Sequence, residues 1–347
     1  MIRNLQRIYE HLQDELSKEI YMDRLGYSMS GSEKRFIDQI LDRTVRISPS
    51  WEKLQDTMQK AATSEMVLFG SGIWGDTVLT EFKDIPWKCI IDNSPKQAEK
   101  GGIPIVLAKD FFDGYQNEII VISSFKNGKA MIGQCIENGV PQSNIIDVGS
   151  VIYELTEGLI YFDDEIITHM KEGTFIDGGC FDGSDAKRFI DKYHGYAICF
   201  EPDSHSLEMI SSQLKGYEQN YRVVPKALWK EEGEVSFVSN GSPGSRIKEG
   251  DMGETIPTTA IDLVASDDKI AMIKMDIEGA ELEALKGAES TIKREHPILA
   301  VSIYHKPEDI ITLPEYILDI REGYRLFLRH YSFSWYDTVL YAIPEDL

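Results

Sequence analysis

At 347 residues the chain exceeds what a single hydrophobic core usually supports, so two or three domains are expected. Its formal net charge of -22, from 36 Lys and Arg against 58 Asp and Glu, argues against nucleic-acid partners, whose phosphates need neutralising, and favours solubility. No run is long enough to span a bilayer, the N terminus lacks the apolar core of a signal peptide, and the scattered cysteines form no Cys-x-x-Cys pair, so a cytoplasmic protein with buried thiols is expected.

Residues 1–62 read as a helical N-terminal segment. Leu5, Ile8, Leu12, Leu16 and Ile20 form one apolar stripe, and Phe36, Ile37, Ile40 and Leu41 begin a second. Trp51, Leu54 and Met58 make a third, after Pro49 and the expected N-cap Ser50. Such a segment suits a cap or a contact between identical subunits. Its polar face mixes acids with bases, unlike the basic face of a membrane-surface helix.

Residues 63–150 read as a small Rossmann-like α/β domain. The apolar run Met66–Phe69 leads into Gly70-Ser71-Gly72-Ile73-Trp74-Gly75, a helical stretch follows, and Cys89-Ile90-Ile91 ends in Asp92. This is Gly-x-Gly-x-x-Gly with an acid after the next strand, the dinucleotide fingerprint in its expected setting. With further strands only near 118–123 and 144–147, the unit is expected to fall short of a six-stranded sheet. It would hold a nucleotide or nucleotide-sugar, or serve as a scaffold or subunit contact.

Residues 151–347 alternate as a doubly wound sheet should. Strands are expected over 174–178, 196–200, 221–225, 270–275, 297–304, 324–329 and 338–343, the last two close enough for an antiparallel hairpin at one sheet edge. A further strand over 235–238 precedes the turn-rich loop 240–245, a candidate lid. The first strand runs into Asp177-Gly178-Gly179-Cys180-Phe181-Asp182-Gly183-Ser184, and the second ends in Glu201-Pro202-Asp203. An acid at the second tip suits a ribose diol, and Asp-x-Gly-x-x-x-Gly, without the central glycine of the dinucleotide pattern, better suits a ligand without phosphates. S-adenosyl-L-methionine (SAM) is such a ligand, with Asp177 as the candidate for its ammonium group. The alternative role for Asp177 is a cap on the helix starting near Ser184.

Ligands bind outside the carboxyl ends of strands in such sheets. There stand Asp276 and Glu278, within Ile273-Lys274-Met275-Asp276-Ile277-Glu278-Gly279-Ala280-Glu281, and His305, within Ser302-Ile303-Tyr304-His305-Lys306-Pro307. On an extended segment Asp276 and Glu278 point the same way, so two acids and an imidazole can converge. His305 is the first candidate for a general base and Asp276 the second, while Glu278 can bind substrate hydroxyls or cap the next helix. These three could also hold a divalent metal, but no spacing demands one and none is expected. Arg329, His330 and Tyr331 can line an acceptor pocket or simply pack.

The segments 175–183, Glu201-Pro202, 273–287 and 301–309, with Leu328-Arg329-His330-Tyr331-Ser332 and Thr338-Val339-Leu340-Tyr341-Ala342, resemble the FkbM family of SAM-dependent methyltransferases over 155–347. The resemblance implies a class I methyltransferase fold, SAM as donor, and O-methylation of sugars, glycoconjugates or other hydroxyl-bearing natural products, as in polysaccharide biosynthesis. The residues expected on the cofactor are Asp177, Gly179, Cys180, Gly183, Ser184, Glu201, Pro202 and Asp276, and those expected at the chemistry are His305, Asp276 and Glu278. One departure is Gly178-Gly179-Cys180 where Gly-Ala-Asn is frequent in the family. The region 63–150 also looks like the small Rossmann-like domain found before some sugar-modifying catalytic domains. The expected architecture is therefore α/β: a seven-stranded class I methyltransferase sheet over 151–347, the smaller domain over 63–150, and the helical segment. Two other readings stay open. One is an NAD-dependent oxidoreductase or nucleotide-sugar epimerase using Gly70 to Asp92, although no Tyr-x-x-x-Lys pair follows that fingerprint. The other is a noncatalytic protein that binds SAM or a nucleotide-sugar.

Overall fold

The computed structural model describes residues 2–238, 246–247 and 254–347. It divides into two compact units, one formed by residues up to Ile37 together with Ile160–Leu347, the other by Asp38–Leu159. The candidate lid over 240–245 lies outside the described residues.

The larger unit is organised by a seven-stranded sheet. From one edge its order is Tyr324–His330, Thr338–Pro344, Ile298–Ser302, Ile270–Met275, Thr174–Gly178, Tyr196–Phe200 and Tyr221–Val224. Thr338–Pro344 runs antiparallel to both neighbours, and the remaining pairs are parallel. The four central strands carry mostly apolar side chains on both faces, which is why they read as apolar runs, interrupted by Asp177 and Lys274, and lie buried between helices. The chain moves outward from Thr174–Gly178 through the next two strands and then returns to Ile270–Met275 beside its starting point. Those two neighbours flank the switch point where open α/β sheets bind ligands. A second sheet of four strands, Ala227–Leu228, Gly233–Val238, Arg246–Ile247 and Glu254–Thr259, follows the third strand.

The N-terminal stripe is two helices, Ile2–His11 and Glu15–Ser30. Asp14 ends the first periodic run by capping the second helix, accepting from the Ser17 N–H at 2.7 Å. Ile8, Leu12 and Ile20 bury their side chains, and the Gln13 N–H donates to the Leu326 carbonyl at 3.0 Å, placing this segment against the sheet edge.

In the smaller unit the helix Pro49–Ala61 is capped by Ser48, whose hydroxyl accepts from the Trp51 N–H, not by Ser50. Proline belongs at the first helical position, so the cap must precede it. The sheet here has six strands, correcting the smaller count expected from sequence. The additional pair, Glu99–Lys100 and Ile103–Leu107, forms an antiparallel hairpin closed by Gly101 and Gly102, both at positive φ. That glycine pair is a hairpin signal legible in the sequence.

Candidate active site at the carboxyl ends of the strands

The first strand delivers Asp177 into the protein interior with no solvent exposure. Asp177 Oδ1 lies 3.0 Å from Lys274 Nζ, and its Oδ2 has no hydrogen-bond partner. The turn before the helix Ser184–Tyr193 is served instead by Asp182, which accepts from the Ser184 N–H at 2.9 Å. Lys274 is a site residue that sequence reasoning missed. Its ammonium group donates to the Gly179 carbonyl at 2.8 Å, sits 3.5 Å from Asp185 Oδ2 and lies over the Tyr161 ring at 5.1 Å. Burial pulls its pKa down, but Asp177, Asp185 and Asp276 outweigh that and hold it above the ordinary lysine value. A lone lysine in a strand otherwise reading Ile-Ala-Met-Ile-x-Met was the available signal, because a buried ammonium requires anions.

Gly179 and Gly183 both adopt positive φ, at 73° and 82°. A side chain at Gly179 would run into the Asp276 carbonyl oxygen, so the turn packs directly on the end of the fourth strand. Gly179→Ala is expected to destabilise this domain by about 1–3 kcal/mol, read from urea unfolding. An unchanged midpoint would mean that the turn relaxes without strain. The Gly179 and Cys180 N–H groups both donate to the Phe200 carbonyl, tying the turn to the second strand, and Cys180 is buried in the core. Glu201, at that strand's tip before Pro202, accepts from the Phe181 N–H and the Asp203 N–H, each at 2.9 Å. Burial raises its pKa against those two bonds. Each of its oxygens has one donor and can accept a second.

The fourth strand ends in a turn rather than an extended segment, with Glu278 and Gly279 at φ of 56° and 94°. Asp276 and Glu278 nevertheless converge, because the turn folds Glu278 back toward the same imidazole. His305 Nε2 lies 3.4 Å from Asp276 Oδ1 and 3.7 Å from Glu278 Oε2. On the ring's other side, Nδ1 is 2.9 Å from Glu281 Oε1. Glu281 also accepts from the Ile277 and Gly279 N–H groups, at 3.0 and 3.4 Å, so it closes the turn ahead of its own helix Glu281–Lys286. Burial alone would lower the imidazole pKa, but Glu281, Asp276 and Glu278 raise it to about 9, leaving His305 protonated at neutral pH. Asp276 accepts from the hydroxyls of Tyr161 at 2.8 Å and Tyr304 at 3.0 Å. Burial works against its ionisation, yet His305, Lys274 and the two hydroxyls hold its pKa below the usual carboxylate range. Tyr161 precedes the first strand in irregular chain, where no sequence pattern marks it.

Arg329, His330 and Tyr331 pack rather than converge on these acids. Arg329 pairs with Asp14 at 2.8 Å, and the Tyr331 hydroxyl donates to Asp163 at 2.8 Å. His330 is buried with its Nδ1 2.9 Å from Thr338 Oγ1, and burial, with Arg24 nearby, pushes its pKa down to about 3.

In the smaller unit the fingerprint loop forms as a strand, glycine turn and helix, with Gly70 at φ 108°. Asp92, the acid that would hold a ribose, is turned onto its own loop. Its Oδ2 accepts from the Ser71 N–H at 2.8 Å and the Ser71 hydroxyl at 2.6 Å, and its Oδ1 accepts from the Ser94 N–H at 2.8 Å.

The family model of the methyltransferase FkbM domain matches residues 178–333. Among solved structures, the chain is similar to Methyltransferase FkbM from Methylobacillus flagellatus KT, with 18% identity, a TM-score of 0.50, and coverage of 94% of this chain and 99% of that one. It is also similar to an rRNA methylase from Streptococcus thermophilus, with 12% identity, a TM-score of 0.33, and coverage of 50% and 86% of the two chains. For a SAM dependent methyltransferase from Aquifex aeolicus the corresponding values are 17%, 0.32, 56% and 96%. At 18% identity the likeness to the Methylobacillus flagellatus protein is one of fold. No curated protein matches the sequence significantly. Among the described residues, no helix is long and apolar enough to cross a membrane.

Proposed function

Residues 178–333 match the family model of the methyltransferase FkbM domain, and on that premise we propose that the chain moves a methyl group from SAM to a hydroxyl of a sugar, glycoconjugate or related natural product. One observation carries this reading: an unbroken run of polar contacts links the glycine turn to the acids on the opposite side of the switch point. Lys274 holds the Gly179 carbonyl and Asp177, its ammonium lies over Tyr161, Tyr161 donates to Asp276, and Asp276 faces His305. The donor cradle and the reacting groups would thus be held as one rigid piece.

The residues fit the proposed cofactor. Glu201 has acceptor capacity for a ribose diol, the turn at Gly179 presents backbone where a side chain would intrude, and Asp177 keeps one buried oxygen unpartnered. Gly183, Ser184 and Pro202 shape the same cradle, with Cys180 filling the core beneath it. SAM, when bound, supplies a methyl group on an activated sulfonium, so the protein's main task is to align donor and acceptor. Asp276 is assigned to receive the hydroxyl proton. Its low pKa is no obstacle, because the acceptor oxygen becomes far more acidic as it gains the methyl group, and a weak carboxylate base then suffices. His305, already protonated, is assigned to hold Asp276 and Glu278 in place, and Glu278 to bind a further acceptor hydroxyl. The Tyr304 hydroxyl and the two acids, all partly exposed, suit a polyhydroxylated acceptor.

Calorimetry with S-adenosylhomocysteine, the demethylated product, tests the donor half. Saturable binding is expected, with Glu201→Gln weakening it about 10- to 100-fold, the loss of a charged acceptor. Absence of binding together with saturable NAD binding would overturn the proposal in favour of the dinucleotide reading. Radiolabelled methyl transfer to a panel of hydroxylated glycans tests the acceptor half.

A further inference from the structure

We infer that the loop between the last two strands carries an acceptor platform, on which a sugar ring lies with its C–H face against the Trp335 indole and its hydroxyls toward Tyr304, Asp276 and Glu278. The loop, residues 331–337, is closed at its base by the Tyr331 N–H, which donates to the Asp337 carbonyl at 3.0 Å. Asp337, at φ 62°, then turns the chain into Thr338–Pro344. Phe333, Trp335 and Tyr336 inside this loop are each only half-buried. Large aromatic side chains left partly open together, beside polar groups, are the usual lining of a small-molecule site.

Trp335 stands next to the acids. Its ring centroid lies 6.2 Å from that of Tyr304, with the two planes at 75°, and the Tyr304 hydroxyl donates to Asp276 Oδ1 at 3.0 Å. One phenol ring therefore spans the gap between the indole and the carboxylate assigned to receive the proton, and a single sugar ring can bridge the same gap. Tyr336 packs edge-on to the indole, at 6.1 Å and 78°. The platform is also tied down from the N-terminal helix Glu15–Ser30. There the buried Arg24 guanidinium donates to the Trp335 carbonyl and, at 3.0 Å, to the Tyr304 carbonyl. Arg24 is thus a positioning residue that fixes the loop to the chain leaving the strand Ile298–Ser302. A platform held in advance spends little ordering entropy when an acceptor binds.

A pyranose has hydroxyls around its rim and a face of C–H groups. The hydrogens of that face carry a slight positive charge and the face of an indole a slight negative one, so the two attract while both leave water. Acids by themselves bind the hydroxyls of any polyol, whereas acids beside an aromatic face select a ring. Asp276 and Glu278 also disfavour phosphate or carboxylate groups on the sugar that sits there, because like charges repel. The acceptor class is therefore a neutral pyranose. Only its methylation rests on the proposed function; binding of the ring does not.

Saturation-transfer NMR of the full chain tests the platform, with the methyl pyranosides of glucose, galactose and mannose as probes and mannitol as the open-chain control. Stronger transfer to the ring C–H protons of a pyranoside than to mannitol is expected. Trp335→Ala should weaken that binding about 10- to 100-fold, the scale for losing one stacked ring, and Trp335→Phe should restore part of it. Affinity for S-adenosylhomocysteine should stay within a few-fold of wild type in both variants, which a general loss of folding would not allow. No pyranoside binding above that of mannitol, or equal binding by the wild-type and Trp335→Ala chains, would overturn the platform. Pyranoside binding that depends on Trp335, in a chain that does not bind S-adenosylhomocysteine, would keep the platform and remove the methyl-transfer reading. Binding of S-adenosylhomocysteine with pyranoside binding indifferent to Trp335 would do the reverse.

Discussion

Lys274→Met will destabilise the larger unit by about 3–5 kcal/mol, the range for removing one partner of a buried ion pair. Lys274 and Asp177 have side-chain exposures of 3% and 0%, so water cannot take over the role of the lost ammonium. Asp185, whose pKa is already raised chiefly by burial, loses one of its two cations in the same step and keeps only Arg188, at 3.3 Å. Hydrogen exchange of the strands Thr174–Gly178 and Ile270–Met275 reads the effect directly, because both lie in the core of the sheet. Adding Asp177→Asn to the methionine variant should restore part of the loss, since it removes the charge left unpaired. Loss below about 1 kcal/mol in the single variant would place the pair in the weak class of solvent-screened bridges and contradict its burial. The same variant should also weaken the donor site, because Lys274 holds the Gly179 carbonyl.

Asp276→Asn should lower kcat for methyl transfer by about 10²-fold or more, the usual contribution of a positioned proton acceptor. Product affinity, measured with S-adenosylhomocysteine, should change only a few-fold. Asn keeps the size of the side chain and can still accept from one tyrosine hydroxyl, so the fold is expected to survive. The discriminating result is the split between kcat and binding. Turnover within a few-fold of wild type would remove Asp276 from the reacting centre and move attention to Glu278. Loss of binding in proportion to turnover would instead make Asp276 a cofactor-holding residue.

Much of the fold was legible because the central strands are buried on both faces. Thr174–Gly178, Tyr196–Phe200 and Ile270–Met275 are apolar runs bounded by turn formers, and their limits follow from that contrast alone. The closing hairpin of Tyr324–His330 and Thr338–Pro344 was legible from its short connection. Short hairpins and caps were harder. Glu99–Lys100 is a two-residue strand whose only local mark is the glycine pair after it, and Ser48 was obscured by the equally suitable Ser50 on the other side of Pro49.

Strand-end positions of Asp177, Glu201, Asp276, Glu278 and His305 were determined by sequence alone, since a parallel sheet carries every strand's carboxyl end to one rim. Which of these groups pair was decided only in three dimensions. The Lys274–Asp177 bond spans 97 positions and the Tyr161–Asp276 bond 115, separations over which no local periodicity operates. The protonation of His305 is likewise a tertiary property. It depends on three carboxyl groups brought around one ring by a turn and a neighbouring strand, and a group's charge state is set by burial and by neighbours that linear spacing does not reveal.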